Sequence, residues 1–439
     1  MRQNKLWAFC LLKCGRQKQK TASSLCRQNY GESYGSSYSD SHGLKYEAKY
    51  ILGLKKKPEK KPKFSKKPQF LIIAFALIIA LPLLDNIFHF SPVKNLFEKR
   101  SPAALPKFPQ NFSAAALYFQ DLENFFNDHY GFRKTLVAIN GIMMDNIFNE
   151  SPDARAIIGK DGWFYFDNYN SLLDAMAMAS ISDELIEHGV KSFGQNWQKM
   201  RAQNINYLLV IAADKSTIYP DFLPFKVKAA ANKLHRIDRF LNALKKKYPD
   251  FPVLDLRFIL KKAREKEIIY HKTDTHWNKR GAHYAYVEIM KMLSKKNLHF
   301  KPHLRNDFAN KEDEFVRGDI SDIMGVDTRN LNYDLTAKFP ENFYQVQPGK
   351  AELKFFHKPN FFANKNKNLP VIFVYKDSYF GDLFGFVAQH FSRAFFINEF
   401  PCDLDYDIIK NYHPDVVIQE FWEGRIELVL GRCNTNSHL

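Results

Sequence analysis

Two short segments carry the groups of a nucleophilic hydrolase or acyltransferase: Asp274-Thr275-His276-Trp277 and, about a hundred residues later, Tyr375-Lys376-Asp377-Ser378. A serine hydroxyl is a poor nucleophile until an adjacent imidazole takes its proton. The imidazole works best when a carboxylate fixes its tautomer and stabilises its charged form. Ser378 as nucleophile, His276 as base and Asp274 as orienter would complete that chemistry without cofactor or metal. Other readings of the same residues remain open at this level. Asp377-Ser378 also suits a helix N-cap, Asp274 and His276 suit a structural hydrogen-bonded pair, and the two together with His271 and His283 offer zinc-ligand types at a spacing that matches no strong zinc signature.

The elements that must position these residues are legible around them. Val371-Ile372-Phe373-Val374 is a short apolar run of the kind buried on both faces of a sheet. After Ser378, the residues Phe380, Leu383, Phe384, Val387, Ala388 and Phe391 recur at helical spacing. Ser378 is therefore expected at a strand-to-helix turn on the carboxyl edge of a sheet, where open α/β folds place their ligands and a helix start can stabilise an oxyanion. Glu267-Ile268-Ile269-Tyr270 reads as the end of another strand, and Asn278 as the N-cap of a helix with Ala282, Ala285, Ile289 and Leu293 on one face. Both motifs would then project from one edge.

Several segments together resemble the SGNH-like proteins of the alginate O-acetyltransferase type, which partner membrane-bound O-acyltransferases in exopolysaccharide or cell-wall acetylation. The resemblance runs in order over about 110 to 430. Its parts are Tyr130-Gly131-Phe132-Arg133, Gly159-Lys160-Asp161-Gly162-Trp163-Phe164-Tyr165, Tyr207 to Ala212 leading into Asp214-Lys215 and Tyr219-Pro220, Asp274-Thr275-His276-Trp277, Lys376-Asp377-Ser378-Tyr379, and His413 to Ile418. Lys376 stands where many members have glycine, and in this the chain is more similar to related bacterial proteins with an Asp-His-His-Trp motif. The resemblance implies a three-layer α/β domain of SGNH-hydrolase type with a central, mostly parallel sheet. Strands are expected near 206-212, 252-256, 267-271, 371-375, 394-397 and 415-420. It also implies an O-acetyltransferase acting through a serine ester on a polysaccharide, with a membrane-bound O-acyltransferase as donor. A polysaccharide esterase and an inactive scaffold are the alternatives. Lys215, Trp277 and Tyr379 are expected on the substrate side, with backbone N–H groups of Ser378 and Tyr379 as oxyanion donors; Trp163, Trp277 and Trp422 are candidates either to stack on sugar rings or to fill the core.

Charge is distributed unevenly along the 439 residues. Residues 1-68 hold 17 Lys and Arg against 4 Asp and Glu and so carry +13 of the net +17. The high isoelectric point belongs to that tail, and a nucleic-acid partner is not expected because the Lys55 to Lys67 cluster directly precedes an apolar segment. Phe70 to Leu84 runs without a charge. Fifteen residues span about 22 Å, against a bilayer core of about 30 Å. A signal peptide and a buried core helix compete with the expectation favoured here, an uncleaved signal anchor over 69-90 with the basic side cytoplasmic and the catalytic domain in the periplasm of a bacterium, on its inner membrane. The expected organisation is a disordered basic tail over 1-68, the anchor, a linker and helical entry region over 91-150, and the catalytic domain over 151-439. The polar stretch from about 300 to 367 reads as an insertion forming one wall of a substrate groove. Cys402 and Cys433 are either a disulfide or two free thiols.

Overall fold

The computed structural model describes residues 66–88, 102–109 and 112–434, apart from short gaps at 149, 226, 228–232, 296–299, 316, 327, 329 and 351. Cys10, Cys14, Cys26 and nearly all of the expected basic tail lie outside the described residues. The last three residues of the tail, Lys66 to Pro68, belong to a helix.

That helix, Lys66–Phe88, corrects the anchor expected over 69-90. No helix among the described residues is long and apolar enough to cross a membrane. Its uncharged stretch, Phe70 to Leu84, is short for a bilayer, contains Pro82, and is bounded by Lys67 and Asp85. The transmembrane segment, the signal anchor and the single-pass inner-membrane topology built on it are therefore not supported. Two helices follow, Phe112–Asp128 and Arg133–Met143, before the α/β region begins at Ala156.

Among the described residues eleven strands occur, in chain order: β1 Ala156–Ile158, β2 Phe164–Phe166, β3 Asn206–Ala212, β4 Val253–Asp255, β5 Phe308–Phe315, β6 Asn330–Ala337, β7 Phe343–Val346, β8 Asn360–Asn364, β9 Val371–Tyr375, β10 Arg393–Ile397 and β11 Val416–Trp422. Seven form the central sheet in the order β4-β3-β11-β9-β10-β8-β7. The first five are parallel, and β8 and β7 extend the sheet antiparallel. β1 pairs with β2, and β5 with β6, as separate two-stranded ribbons.

Side chains alternate across a strand, so each central strand must feed two cores. Leu208, Val210 and Ala212 of β3 and Ile372 and Val374 of β9 enter one core, with Ala282, Tyr286 and Ile289 of the helix Lys279–Ser294. Tyr207, Leu209 and Ile211 and Phe373 and Tyr375 enter the other, with Val190, Phe193 and Trp197 of the helix Asp183–Ala202 and Phe240 of Arg236–Lys247. This double burial gives the three-layer α/β architecture and explains why β9 reads as an unbroken apolar run.

Five of the six expected strands occupy the central sheet, and the one expected over 267-271 does not form. Tyr270 makes only an isolated antiparallel bridge to Trp277. Glu267 to His271 is instead a tight irregular loop whose Ile269 carbonyl accepts from Asn278 N–H, so its backbone bonds are spent on the next helix start rather than on a sheet neighbour. On the second core, away from this loop, Cys402 and Cys433 form a disulfide with a Cα separation of 5.1 Å.

Candidate active site

The carboxyl ends of β3, β9 and β11 deliver three consecutive polar turns. β3 runs into Asp214-Lys215, β9 into Lys376-Asp377-Ser378, and β11 into Glu423. Ser378 opens a 3-10 turn, Ser378–Leu383, and is exposed at its start. Asp377 fixes that turn from below. Its Oδ1 accepts the Tyr379 N–H at 2.9 Å, its Oδ2 accepts the Trp422 N–H at 2.9 Å, and its own N–H donates to Glu420 Oε2 at 3.0 Å. Arg425 Nε lies 3.7 Å from Oδ2. Burial, reinforced by the neighbouring Asp377 charge, pushes the proton affinity of Glu420 well up.

His276 reaches the same place from a loop without regular structure. Its Nε2 lies 2.8 Å from Ser378 Oγ, and its Nδ1 lies 2.6 Å from Asp274 Oδ1. Asp274 Oδ1 also accepts the His276 N–H at 3.0 Å, which curls the three residues Asp274-Thr275-His276 into one unit. The structure thus brings Asp274, His276 and Ser378 into one hydrogen-bonded chain. The geometry suits an imidazole whose Nδ1–H is held by a carboxylate and whose Nε2 accepts a proton from a hydroxyl.

Sequence reasoning missed a second carboxylate in this site. Asp319 Oδ2 lies 3.7 Å from His276 Nδ1, its Oδ1 accepts the Thr275 N–H at 2.6 Å and the Thr275 hydroxyl at 3.0 Å, and its N–H donates to Asp274 Oδ2 at 2.8 Å. Gly318 makes the approach feasible. A Cβ there would stand 2.2 Å from the Thr273 carbonyl oxygen and 2.5 Å from Asp274 N. The sequence offered no signal for Asp319, because it arrives from the connection between β5 and β6.

Lys215, expected on the substrate side, is instead buried beneath the loop. Its Nζ donates to the carbonyl oxygens of His271, Lys272 and Asp274 at 3.2, 3.1 and 2.6 Å. Burial lowers its pKa to about 8 against the opposing pull of Asp274, Asp319 and Asp214. Trp277 is fully buried, edge-on to Tyr379 at 5.2 Å, and wedges the two loops apart instead of facing a sugar. Tyr379 is buried too. Its hydroxyl donates to the Thr275 carbonyl at 3.1 Å, its ring lies 4.8 Å from the His276 ring, and its N–H is already taken by Asp377 and so does not serve an oxyanion. Trp163 and Trp422 are core residues as well, stacked on Tyr219 and Tyr379 respectively. Lys376 points away, its Nζ 3.5 Å from Asn398 Oδ1 and 5.0 Å from the Phe384 ring.

The zinc-ligand types weighed from the sequence are not gathered. His283 Nε2 bonds the His303 carbonyl at 2.9 Å, while burial holds His271 down to about 4. The cluster of ligand types among the described residues is Asp274, His276 and Asp319, with donor atoms within 4.8 Å of one another. In it, Asp274 Oδ1 holds His276 Nδ1 at 2.6 Å and Asp319 Oδ2 lies 3.7 Å from the same nitrogen.

Residues 156–370 match the family model described as the SGNH hydrolase-like domain of the acetyltransferase AlgX. The chain belongs to the SGNH hydrolase-like acetyltransferase family related to the alginate O-acetyltransferases. The matched span includes Asp274, His276 and Asp319 and ends before Ser378. No curated protein matches the chain. Among solved structures, Bacillus cereus PatB1 is 16% identical, with 61% of this chain and 95% of that one covered at a TM-score of 0.43. The O-acetyltransferase domain of Pseudomonas putida AlgJ is 16% identical over 64% and 94% at 0.42. A DHHW family protein from Eubacterium siraeum is 16% identical over 62% and 94% at 0.41. Membership of the SGNH hydrolase-like acetyltransferase family suggests hydrolase or acyltransferase activity.

Proposed function

We propose that the protein is an O-acetyltransferase that carries an acetyl group as an ester of Ser378 and passes it to a hydroxyl of a polysaccharide. The observation that carries this reading is the continuous chain from Asp274 through His276 to Ser378, at 2.6 and 2.8 Å. In the first half-reaction, Ser378 Oγ gives its proton to His276 Nε2 and bonds to the acetyl carbonyl carbon. Collapse of the tetrahedral adduct breaks the bond to the donor oxygen, which takes the proton from His276. In the second half, a sugar hydroxyl gives its proton to Nε2, attacks the ester, and Ser378 Oγ leaves with that proton. Asp274 holds Nδ1–H throughout and stabilises the imidazolium. The Ser378 N–H, at the open start of the 3-10 turn, is the donor in reach of the oxyanion.

The resemblance to alginate-type acetyltransferases supports a membrane-bound O-acyltransferase as donor and a polysaccharide as acceptor. The exposure of Ser378 also lets water compete for the ester, so an esterase running the same steps is the second reading. The test is direct. The purified protein should release acetate from an activated acetyl ester and carry acetyl on the peptide containing Ser378. Ser378→Ala should lose both with an unchanged melting temperature, and activity of Ser378→Ala equal to the parent sinks the proposal. Transfer to added glycan faster than release to water separates transferase from esterase.

A further inference from the structure

Beside the Ser378 turn lies a cleft of about 190 Å³ that none of the residues discussed so far accounts for. It sits between the helix Lys279–Ser294, the β5–β6 ribbon and the turn that Ser378 opens. Gly381 and Asp382, three and four residues after Ser378, form its near wall, and Lys279, three residues after His276, forms its corner. The floor is aromatic. Phe386 stacks on Tyr286 at 5.4 Å, and His303 lies flat on Phe339 at 3.8 Å and 14°. Burial keeps the His303 imidazole below its ordinary pKa.

The polar groups around this floor are unbalanced. Lys279 Nζ is 3.3 Å from Asp334 Oδ1, so its charge is already answered. Asp382 and Glu341 make no hydrogen bond or ion pair among the described residues. Partial burial raises the Asp382 pKa, and His276 and Lys279 oppose the rise.

We infer that this cleft is the acceptor subsite and takes one uncharged pyranose ring of a neutral glycan in preference to a uronate. Flat aromatic surface suits the C–H face of a pyranose, and an unpaired carboxylate accepts the hydroxyls at its edge. Asp382 and Glu341, against the one Lys279 cation that Asp334 already pairs, leave the rim negative and repel a uronate carboxylate. The volume falls below the lower end of drug-sized pockets, about 300 Å³, which is the right scale for one ring rather than several. Gly381, three residues after Ser378, carries no side chain, and a Cβ there would meet nothing within 4 Å, so this wall of the cleft is open.

The inference rests on the acyl-transfer reading of Ser378, and its test is arranged to fail separately. The full chain carrying Ser378→Ala is titrated calorimetrically with neutral tetrasaccharides of glucose, mannose and galactose and with a tetramannuronate. At least one neutral sugar should bind, and more tightly than the uronate. Adding Asp382→Asn should weaken it by about ten-fold or more, the scale of a lost charge-assisted hydrogen bond. Gly381→Leu, whose Cβ meets nothing within 4 Å and whose side chain crowds the cleft wall, should abolish binding and decides the matter if Asp382→Asn does not fold. Tetramannuronate binding as tightly as the best neutral sugar, no neutral sugar binding at all, or full binding by Gly381→Leu overturns the subsite. Sugar binding in a protein whose parent form lacks ester turnover would sink the transfer reading and leave the subsite standing.

Discussion

The two loops that meet at the Ser378–His276 hydrogen bond are built in opposite ways. The Ser378 turn is a continuation of β9 and is tied to the end of the neighbouring strand β11 through Asp377, whose carboxylate takes two backbone N–H groups. The His276 loop has no strand under it. Its position comes from side chains that arrive from far along the chain: Lys215 below, Asp319 behind and Tyr379 across the gap. Ser378 is placed by secondary structure and His276 by tertiary contacts, so His276 is the more easily displaced of the two.

Substitutions sort along that difference. The largest effect is expected at Asp274. Asp274→Asn keeps the shape but favours the wrong tautomer, for a fall of about 10⁴ in kcat on an activated ester by analogy with serine hydrolases. His276→Ala should be comparable, and the double variant little worse than the worse single one because the three groups act as a unit. Additive losses would mean that Asp274 and His276 act separately. Next comes Asp319→Asn, which keeps the fold but loosens the loop behind the imidazole. A misplacement of this kind costs about 10²-fold, and it should appear in kcat with KM little changed. Partial recovery in Asp319→Glu would support a positioning role, and parent-like kcat in Asp319→Asn would show that Asp274 alone holds the loop.

Lys215 gives the comparison a pH signature. Three carbonyls face Nζ, and an ammonium has three donors where a neutral amine has two. Activity should therefore decline as pH rises through about 8, the value to which burial lowers this lysine. Lys215→Met should be slower at pH 7 by about ten-fold or more, within the range for misplaced groups, and should lack this alkaline limb. Stability moves the other way. Between about 8 and the ordinary 10.5 the unfolded lysine holds more protons than the folded one, so this group makes unfolding less favourable as pH rises. Parallel loss of activity and melting temperature across that window would refute the assignment. The smallest effect on chemistry is expected from the disulfide, which lies on the opposite face of the sheet. Replacing Cys402 and Cys433 by serine should cost about 3 kcal/mol of stability in denaturant titration, with ester turnover at 25 °C unchanged.

The same contrast explains what could be read from the amino-acid order. Ser378 was legible because its signals are local: a doubly buried run before it and a helical stripe after it. Asp274 and His276 were legible as residue types, whereas the strand drawn beneath them does not exist, because Ile269 and its neighbours bond the following helix instead of a sheet edge. Lys215 and Asp319 lie 59 and 45 residues from the Asp274 they support, and no pattern within a helical or strand period reports such a contact. Trp277 and Tyr379, expected on the substrate side next to His276 and Ser378, are core residues instead, because their large rings fill the space between the two loops. The apolar stretch from Phe70 read as an anchor from its composition, and its length, Pro82 and Asp85 decide otherwise.

The connection between β5 and β6 does two things at once. The ribbon it closes supplies Phe308, Leu335 and Ala337 to the wall of the cleft, and the connection itself carries Asp319 to the back of His276. Taste and tempo are therefore inherited together in this architecture. A lineage that reshaped the ribbon to admit a different polymer would retune its own turnover in the same step, and a chimera that borrowed the ribbon from a relative would import both traits or neither.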